Sequence, residues 1–182
     1  MKKIVVCLLA LCLLLPLSAC GQRDEDIPQG YLDAGTEGVE YRFFYPETWV
    51  LDRRDPGMTS VYYSEEDFSN VSVTVFTASP DYSSLADYAE RYYFEQFKDN
   101  FNNLDLVKNQ DGTLKLRTLK VDGCDAVAAD YSAVFAGKTY KFRSFFISYG
   151  GSIYTVTYTA TNDLFDAHTD AVEGMIEQMR FQ

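Results

Sequence analysis

The chain has 182 residues, of which 47% are hydrophobic and 15% aromatic, and its formal net charge is −11. This composition lies outside the range of disordered chains, and the length suits one domain with its own core. The acidic excess argues against a nucleic-acid partner, because phosphate contacts need lysine and arginine. We expect the charge to serve solubility, with recognition of a cationic partner as the alternative.

The N-terminus has the order of a secretory signal peptide. Lys2 and Lys3 precede an apolar run from Ile4 to Leu17, and small residues then lead into Cys20. As a helix this run would span about 21 Å, whereas a hydrocarbon core is about 30 Å thick, so we favour a cleaved signal over a transmembrane anchor.

The residues Leu17-Ser18-Ala19-Cys20 resemble the end of a bacterial lipoprotein signal. The resemblance implies that Cys20 is lipidated, as by palmitate, and becomes the first residue of the mature protein. It also implies that the cell membrane is the first partner, reached through the lipid on Cys20 on the extracytoplasmic face.

Three segments are predicted along the chain. Residues 1–19 form the lipoprotein signal peptide, residues 20–38 a lipidated N-terminus and flexible tether, and residues 39–182 a single α+β domain. A first strand is predicted near Tyr31. If Cys20 is lipidated, Cys124 has no partner for a disulfide, so the hydrophobic core must hold the fold.

Alternating apolar residues and turn signals predict the elements of the domain. Strands are predicted at 41–45, 49–51, 60–63, 70–77, 113–121, 126–135, 139–149 and 152–160. One helix begins at Ser83 or Ser84, and its apolar stripe contains Leu85, Tyr88, Ala89, Tyr92 and Phe97. A second helix runs over about 163–179.

Two-residue turns at 136–137 and 150–151 set the register of the last three strands. They place Asp130 opposite Arg143, and Phe145 opposite Val156. One face of the sheet then carries Phe145, Ile147, Tyr154, Val156 and Tyr158, with Asp130 and Arg143. The other carries Val127, Tyr131, Phe135, Tyr140, Phe142, Phe146 and Ile153. Both faces need a cover, which predicts an antiparallel β-sheet sandwiched between helices, an αβα architecture.

The segment Tyr45-Pro46-Glu47-Thr48-Trp49 resembles the Pro-x-Gly-Trp corner of PsbP-like proteins, although Thr48 stands where the family usually has glycine. Further similarities lie at 70–73, 84–88, 151–160 and 179–181. The resemblance covers about 39–181 and implies the αβα sandwich of the Mog/PsbP fold. It also implies a non-enzymatic binding or assembly module, because photosynthetic members dock on a membrane complex and a eukaryotic fold relative binds a small GTPase.

His168 is the only histidine. Asp166 and Asp170 point away from it on the helix, and its neighbours one turn away are apolar, so we expect it at the edge of the core rather than at a metal. A thiol dyad with Cys124 is the alternative, although the sequence names no third group to orient it.

The acidic residues of this region are expected to face solvent. The stripe formed by Asp163, Asp166, Asp170 and Glu173 is interpreted as the solvated face of its helix, with a weak calcium or manganese site as the alternative. Glu65-Glu66-Asp67 is interpreted as a solvated turn. We therefore expect no catalytic residue, no metal and no cofactor.

Exposed tyrosines often mark binding surfaces, and Tyr62, Tyr63, Tyr92 and Tyr93 are the candidates. The sequence thus favours a membrane-tethered, non-catalytic accessory module that binds another protein. The alternative is a small-ligand binding protein of the cell envelope. A flat aromatic patch would favour the first function and a charged concavity the second.

Overall fold

The computed structural model describes residues 26–35, 38–55, 58–77, 81–95, 98–100 and 102–182. The predicted signal, Cys20 and Phe97 lie outside these residues. The strands are β1 (Tyr31–Asp33), β2 (Tyr41–Arg42), β3 (Phe44–Pro46), β4 (Val50–Asp52), β5 (Thr59–Tyr62), β6 (Asn70–Thr77), β7 (Asn102–Leu106), β8 (Leu116–Val121), β9 (Cys124–Phe135), β10 (Lys138–Tyr149), β11 (Ser152–Thr161) and β12 (Arg180–Phe181). The helices are α1 (Leu85–Asp87), continued by a π-helix over Tyr88–Phe94, a 3₁₀ turn over Lys98–Asn100, and α2 (Phe165–Gln178).

An antiparallel sheet forms the centre of the domain, with the order β4-β5-β6-β11-β10-β9-β7 and with β8 paired to β9 beside β7. The predicted registers are confirmed, since Asp130 faces Arg143 and Phe145 faces Val156. Ala136 and Gly137 both have positive φ, of 51° and 79°, as a type I′ turn requires.

The face that carries Phe145 and Val156 packs against α2. Its apolar residues join the buried residues of the helix in one cluster, which includes Phe145, Ile147, Tyr154, Val156, Tyr158, Val172, Met175 and Ile176. The helix forms because its apolar residues recur every three or four positions on the side that faces the sheet.

The prediction of a sheet sandwiched between helices overstates the cover of the other face. The helical segment from Leu85 to Phe94 spans about 15 Å, while the twelve-residue strands β9 and β10 are each about 40 Å long. The described part of this segment is therefore too short to cover the whole face. Phe135, predicted to be covered, is 71% exposed, and Phe76 is 38% exposed. The protein is an α+β fold that consists mostly of sheet.

The strand predicted near Tyr31 is confirmed and belongs to the packed domain. It pairs with β3, and the adjacent Ala34 is 3% exposed. At the other end of the chain β12 pairs with β2, and neither β12 nor β7 was predicted. The ordered domain therefore begins before Val39, within the segment predicted to be a tether.

Candidate functional site

A tight loop joins β5 to β6. The Tyr63 amide donates to the Ser69 carbonyl at 2.9 Å, and the Ser64 amide donates to the Asp67 carbonyl at 3.0 Å. The Ser64 hydroxyl accepts the Asp67 amide at 3.1 Å. These bonds bring the carboxylate of Asp67 inward, towards α2.

Asp67 and His168 meet between this loop and the helix. Nε2 of His168 lies 2.6 Å from Oδ2 of Asp67, and the Ser69 amide donates to Oδ1 at 2.9 Å. Burial alone would raise the pKa of the Asp67 carboxyl, but hydrogen bonds from Ser69 and His168 outweigh it and hold the pKa below its ordinary value of 3.8. A carboxylate only accepts hydrogen bonds, so Nε2 carries the proton.

Two aromatic rings enclose the imidazole. The ring of His168 lies 4.1 Å from that of Tyr63 and 5.7 Å from that of Trp49, between centroids. His168 is 9% exposed, which confirms its place at the edge of the core. The prediction that Asp67 lies in a solvated turn is wrong, because its side chain is only 14% exposed.

An open groove lies beside this pair, at the end of the sheet. It is lined by three segments, namely residues 66–69 of the loop, residues 138–140 at the start of β10, and residues 160–164 between β11 and α2. Its volume is about 640 Å³. Asp67 therefore both forms the hydrogen bond with His168 and lines one wall of the groove.

The groove offers charge and one exposed aromatic ring. Its charged side chains are Glu66, Asp67, Asp163 and Lys138, and Tyr140 lies in the lining as well. Phe68 is 58% exposed on the same wall. Acidic and aromatic groups in an open cleft can hold a cationic or apolar partner.

Glu173 belongs to an ion-pair network rather than to a solvated face. It accepts from Nη1 of Arg143 at 2.8 Å and from Nη2 of Arg117 at 2.7 Å. Arg143 also donates two bonds to its strand neighbour Asp130, at 2.7 and 2.8 Å. The prediction of solvation was wrong for Glu173 because both arginines reach across from the sheet to α2.

Cys124 is a free thiol at the start of β9. Burial, together with the charge of Asp122, raises the pKa of the thiol, which disfavours the nucleophilic thiolate. Within the described ranges no hydrogen bond joins Cys124 to His168. The residues of the alternative dyad are therefore not joined by the contact that a nucleophile and its base need.

The four candidate tyrosines do not form one surface. Tyr63 contacts His168 on the α2 side of the sheet, where it is 36% exposed. Tyr62 donates to Glu65 at 2.8 Å and stacks on Phe68. Tyr92 and Tyr93 pack against the cluster of the opposite face. Only Tyr62 and Tyr63 adjoin the loop that lines the groove.

The described part of the chain holds no group of three or more histidine, cysteine, aspartate or glutamate side chains placed to bind a metal ion. None of its helices is long and apolar enough to cross a membrane.

Three solved structures are similar to this chain in fold. Cyanobacterial PsbP (CyanoP) from Synechocystis superimposes with a TM-score of 0.58 at 13% identity, covering 92% of this chain and 99% of its own. LpqN of Mycobacterium tuberculosis, which is involved in cell envelope biogenesis, gives 0.55 at 17% identity, covering 88% and 94%. The Ran-binding protein Mog1p of Saccharomyces cerevisiae gives 0.59 at 9% identity, covering 83% and 95%.

No protein-family model and no curated protein matches the sequence. The similarities to solved structures lie far below the identity at which function transfers, so they establish the fold alone. The chain has the PsbP/Mog1-like fold, as the resemblance at the Tyr45–Trp49 corner implied.

Proposed function

We propose that this protein is a lipid-tethered accessory protein of the extracytoplasmic membrane face, which binds another protein and catalyses no reaction. The observation that supports it most is the open groove beside His168, a histidine whose hydrogen bond to Asp67 holds the loop against α2. The polar contact of His168 goes to Asp67, and what the groove exposes is an aromatic ring and carboxylates. An exposed ring and carboxylates can contact the surface of another protein.

A hydrolase is the enzymatic alternative, because an aspartate-histidine pair also occurs in catalytic triads. A triad needs a nucleophile at the second ring nitrogen. In the ranges that the structure describes, no serine, threonine or cysteine hydrogen-bonds to His168, and the flanking rings of Trp49 and Tyr63 occupy its sides. The pair is thus better explained as a structural contact that holds the loop before β6 against α2.

The fold and the signal support the cellular setting. LpqN, which shares the fold, is involved in cell envelope biogenesis, and Mog1p, which shares it too, binds Ran. The lipoprotein signal ending at Cys20 would hold the domain at the membrane surface. A lipid tether suits an accessory protein that meets its partner at the bilayer.

The tether is tested by Cys20→Ala in the native cell. We expect the variant to stay unprocessed or to be released, because the lipid is the attachment that the signal implies. Cys124→Ser is the matched control, since it removes a cysteine outside the signal. Recovery of normally processed Cys20→Ala protein in the membrane fraction would overturn lipid anchoring.

The binding function is tested by crosslinking the full-length protein in native membranes and identifying the trapped species. We expect one protein to be enriched over a control that carries only the signal and tether. The purified domain should also show no turnover with ester, peptide or phosphoester substrates. Turnover that His168→Gln abolishes in a folded protein would favour the hydrolase instead.

Small-ligand binding is a second candidate, and the groove volume favours it. A volume of about 640 Å³ lies within the range of about 300–1,000 Å³ that is typical of ligand pockets. Mass spectrometry of the purified domain under native conditions tests it directly. A retained small molecule that Phe68→Ala releases would support this candidate over a protein partner.

A further inference from the structure

We propose that the groove docks a positively charged polypeptide segment that contains an aromatic or large aliphatic side chain. The groove comprises residues 66–69, 138–140 and 160–164. The inference rests on the proposed function and specifies the chemistry of its partner.

The charge of the groove argues for a cationic occupant. Glu66 and Asp163 lie on different walls, and neither forms an ion pair with any of the described residues. Lys138 is the single basic residue in the lining, and the chain as a whole has a net charge of −11. A lysine-rich or arginine-rich segment would be attracted on approach and would neutralise both carboxylates, whereas an acidic segment would be repelled.

Phe68 supplies the apolar contact. Its side chain is 58% exposed on the wall of the groove. The ring stacks on Tyr62, with centroids 6.1 Å apart, so the free face of Phe68 is held in a defined direction. Aromatic residues at interfaces bury large areas with little loss of conformational freedom, and a side chain of the partner can pack on this face.

Hydrogen bonds tie the wall that holds Glu66 and Phe68 to the rest of the domain. The residue between them, Asp67, is bonded to His168 on α2, and Ser69 is bonded to Tyr63 and to Asp67. Both docking residues thus sit on a loop that is fixed at each side. A preorganised loop lowers the entropy cost of binding, which distinguishes a docking surface from a mobile surface turn.

The shape of the groove favours a segment of chain over a small molecule. Small-ligand sites enclose most of the surface of what they bind. Here the cleft is open, and its opposing carboxylates belong to a loop and to the chain before α2. An open cleft with carboxylates on two different segments can contact more than one side chain of a bound polypeptide.

The experiment measures fluorescence anisotropy of a labelled peptide with lysines on both sides of a central tryptophan. The control peptide has glutamate in place of each lysine. We expect the wild-type domain to bind the cationic peptide and not the acidic one. The affinity for the cationic peptide should fall as the salt concentration rises. Glu66→Gln/Asp163→Asn should weaken binding by about tenfold, which corresponds to the loss of two charged contacts.

Two matched controls separate the groove from the general acidity of the chain. Glu90→Gln/Asp99→Asn removes the same charge at exposed residues outside the groove and should leave binding unchanged. Phe68→Ala should weaken binding by about tenfold, while Phe135→Ala, which truncates a still more exposed ring outside the lining, should not. Equal losses in the groove variants and their controls would overturn the inference, as would equal binding of both peptides.

Failure of this inference is distinguishable from failure of the proposed function. If the native-membrane experiment traps a protein while the cationic peptide does not bind in the groove, the inference is overturned and the proposed function stands. If no protein is trapped, the proposed function fails as well. A retained small molecule displaced by Phe68→Ala, with no binding of the cationic peptide, would also overturn the inference.

Discussion

His168 and Asp67 are 101 residues apart in the sequence and are joined by a hydrogen bond of 2.6 Å between Nε2 and Oδ2. The bond ties the loop before β6 to the helix that covers the sheet. Because that loop is also a wall of the groove, the same pair that stabilises the domain positions the exposed Phe68.

Asp67→Asn should reduce stability most at neutral pH. The pKa of Asp67 is lowered by folding, so its contribution is present above its ordinary pKa of 3.8 and is lost as the pH falls through the lower folded value. We expect a loss of about 1–3 kcal/mol at neutral pH, typical of a hydrogen bond to a charged group, and a smaller one in acid. Chemical denaturation across this pH range measures it.

Asp166→Asn is the control for this prediction, because it removes an exposed carboxylate from α2 without touching the loop. An Asp67→Asn loss that stays constant down to the lowest pH would contradict the assignment. It would show that the carboxylate contributes through packing rather than through its ionised form.

Trp49→Ala should be among the most damaging single changes. The side chain is 4% exposed and lies against both Tyr63 and His168. Truncation of a buried aromatic residue costs about 3–5 kcal/mol, a large share of the roughly 5–15 kcal/mol that stabilises a domain. Thermal melting should show a strongly lowered midpoint, and an unchanged midpoint would refute this role.

Glu173→Gln should destabilise the domain by about 1–3 kcal/mol, because it removes the negative charge that the guanidinium groups of Arg117 and Arg143 share. Asp170→Asn on the same helix is the control, since its side chain is exposed, and it should change stability little. Equal effects of the two variants in urea denaturation would contradict the network.

Gly174 and Tyr31 should be coupled. A Cβ at Gly174 would overlap the hydroxyl of Tyr31, which packs β1 against α2. Gly174→Ala should therefore stabilise the protein in a Tyr31→Phe background, by about 0.5–1 kcal/mol from helix propensity, and stabilise less or destabilise with Tyr31 present. A double-mutant cycle measures the coupling, and additive effects would show that the two residues do not touch.

Local rules were enough to predict the hairpins. Two-residue turns at Ala136-Gly137 and Gly150-Gly151 leave one register, and that register assigned Arg143 and Phe145 to the face that α2 covers. Strand period and turn geometry act over a few residues, so they are visible in the sequence.

Contacts between distant segments could not be predicted in this way. Helical periodicity identifies the neighbours of His168 only within α2. Its partner Asp67 lies in a loop that has no periodic pattern. In the sequence Glu173 belongs to the same acidic stripe as Asp163 and Asp170, and only the packed structure shows that two arginines reach it. The exposure of Phe135 on the second face likewise depends on packing between segments that are distant in the sequence.

The central claim is that the protein binds a partner through the groove, and site-specific photo-crosslinking in the native membrane tests it most directly. A photoreactive phenylalanine analogue would replace Phe68, Phe135 or Tyr92, one at a time, in the full-length tethered chain. We predict light-dependent capture of one protein, through a basic segment, from position 68 and not from the other two. Capture from position 92 or 135 but not from 68, or from none of them, would contradict the account.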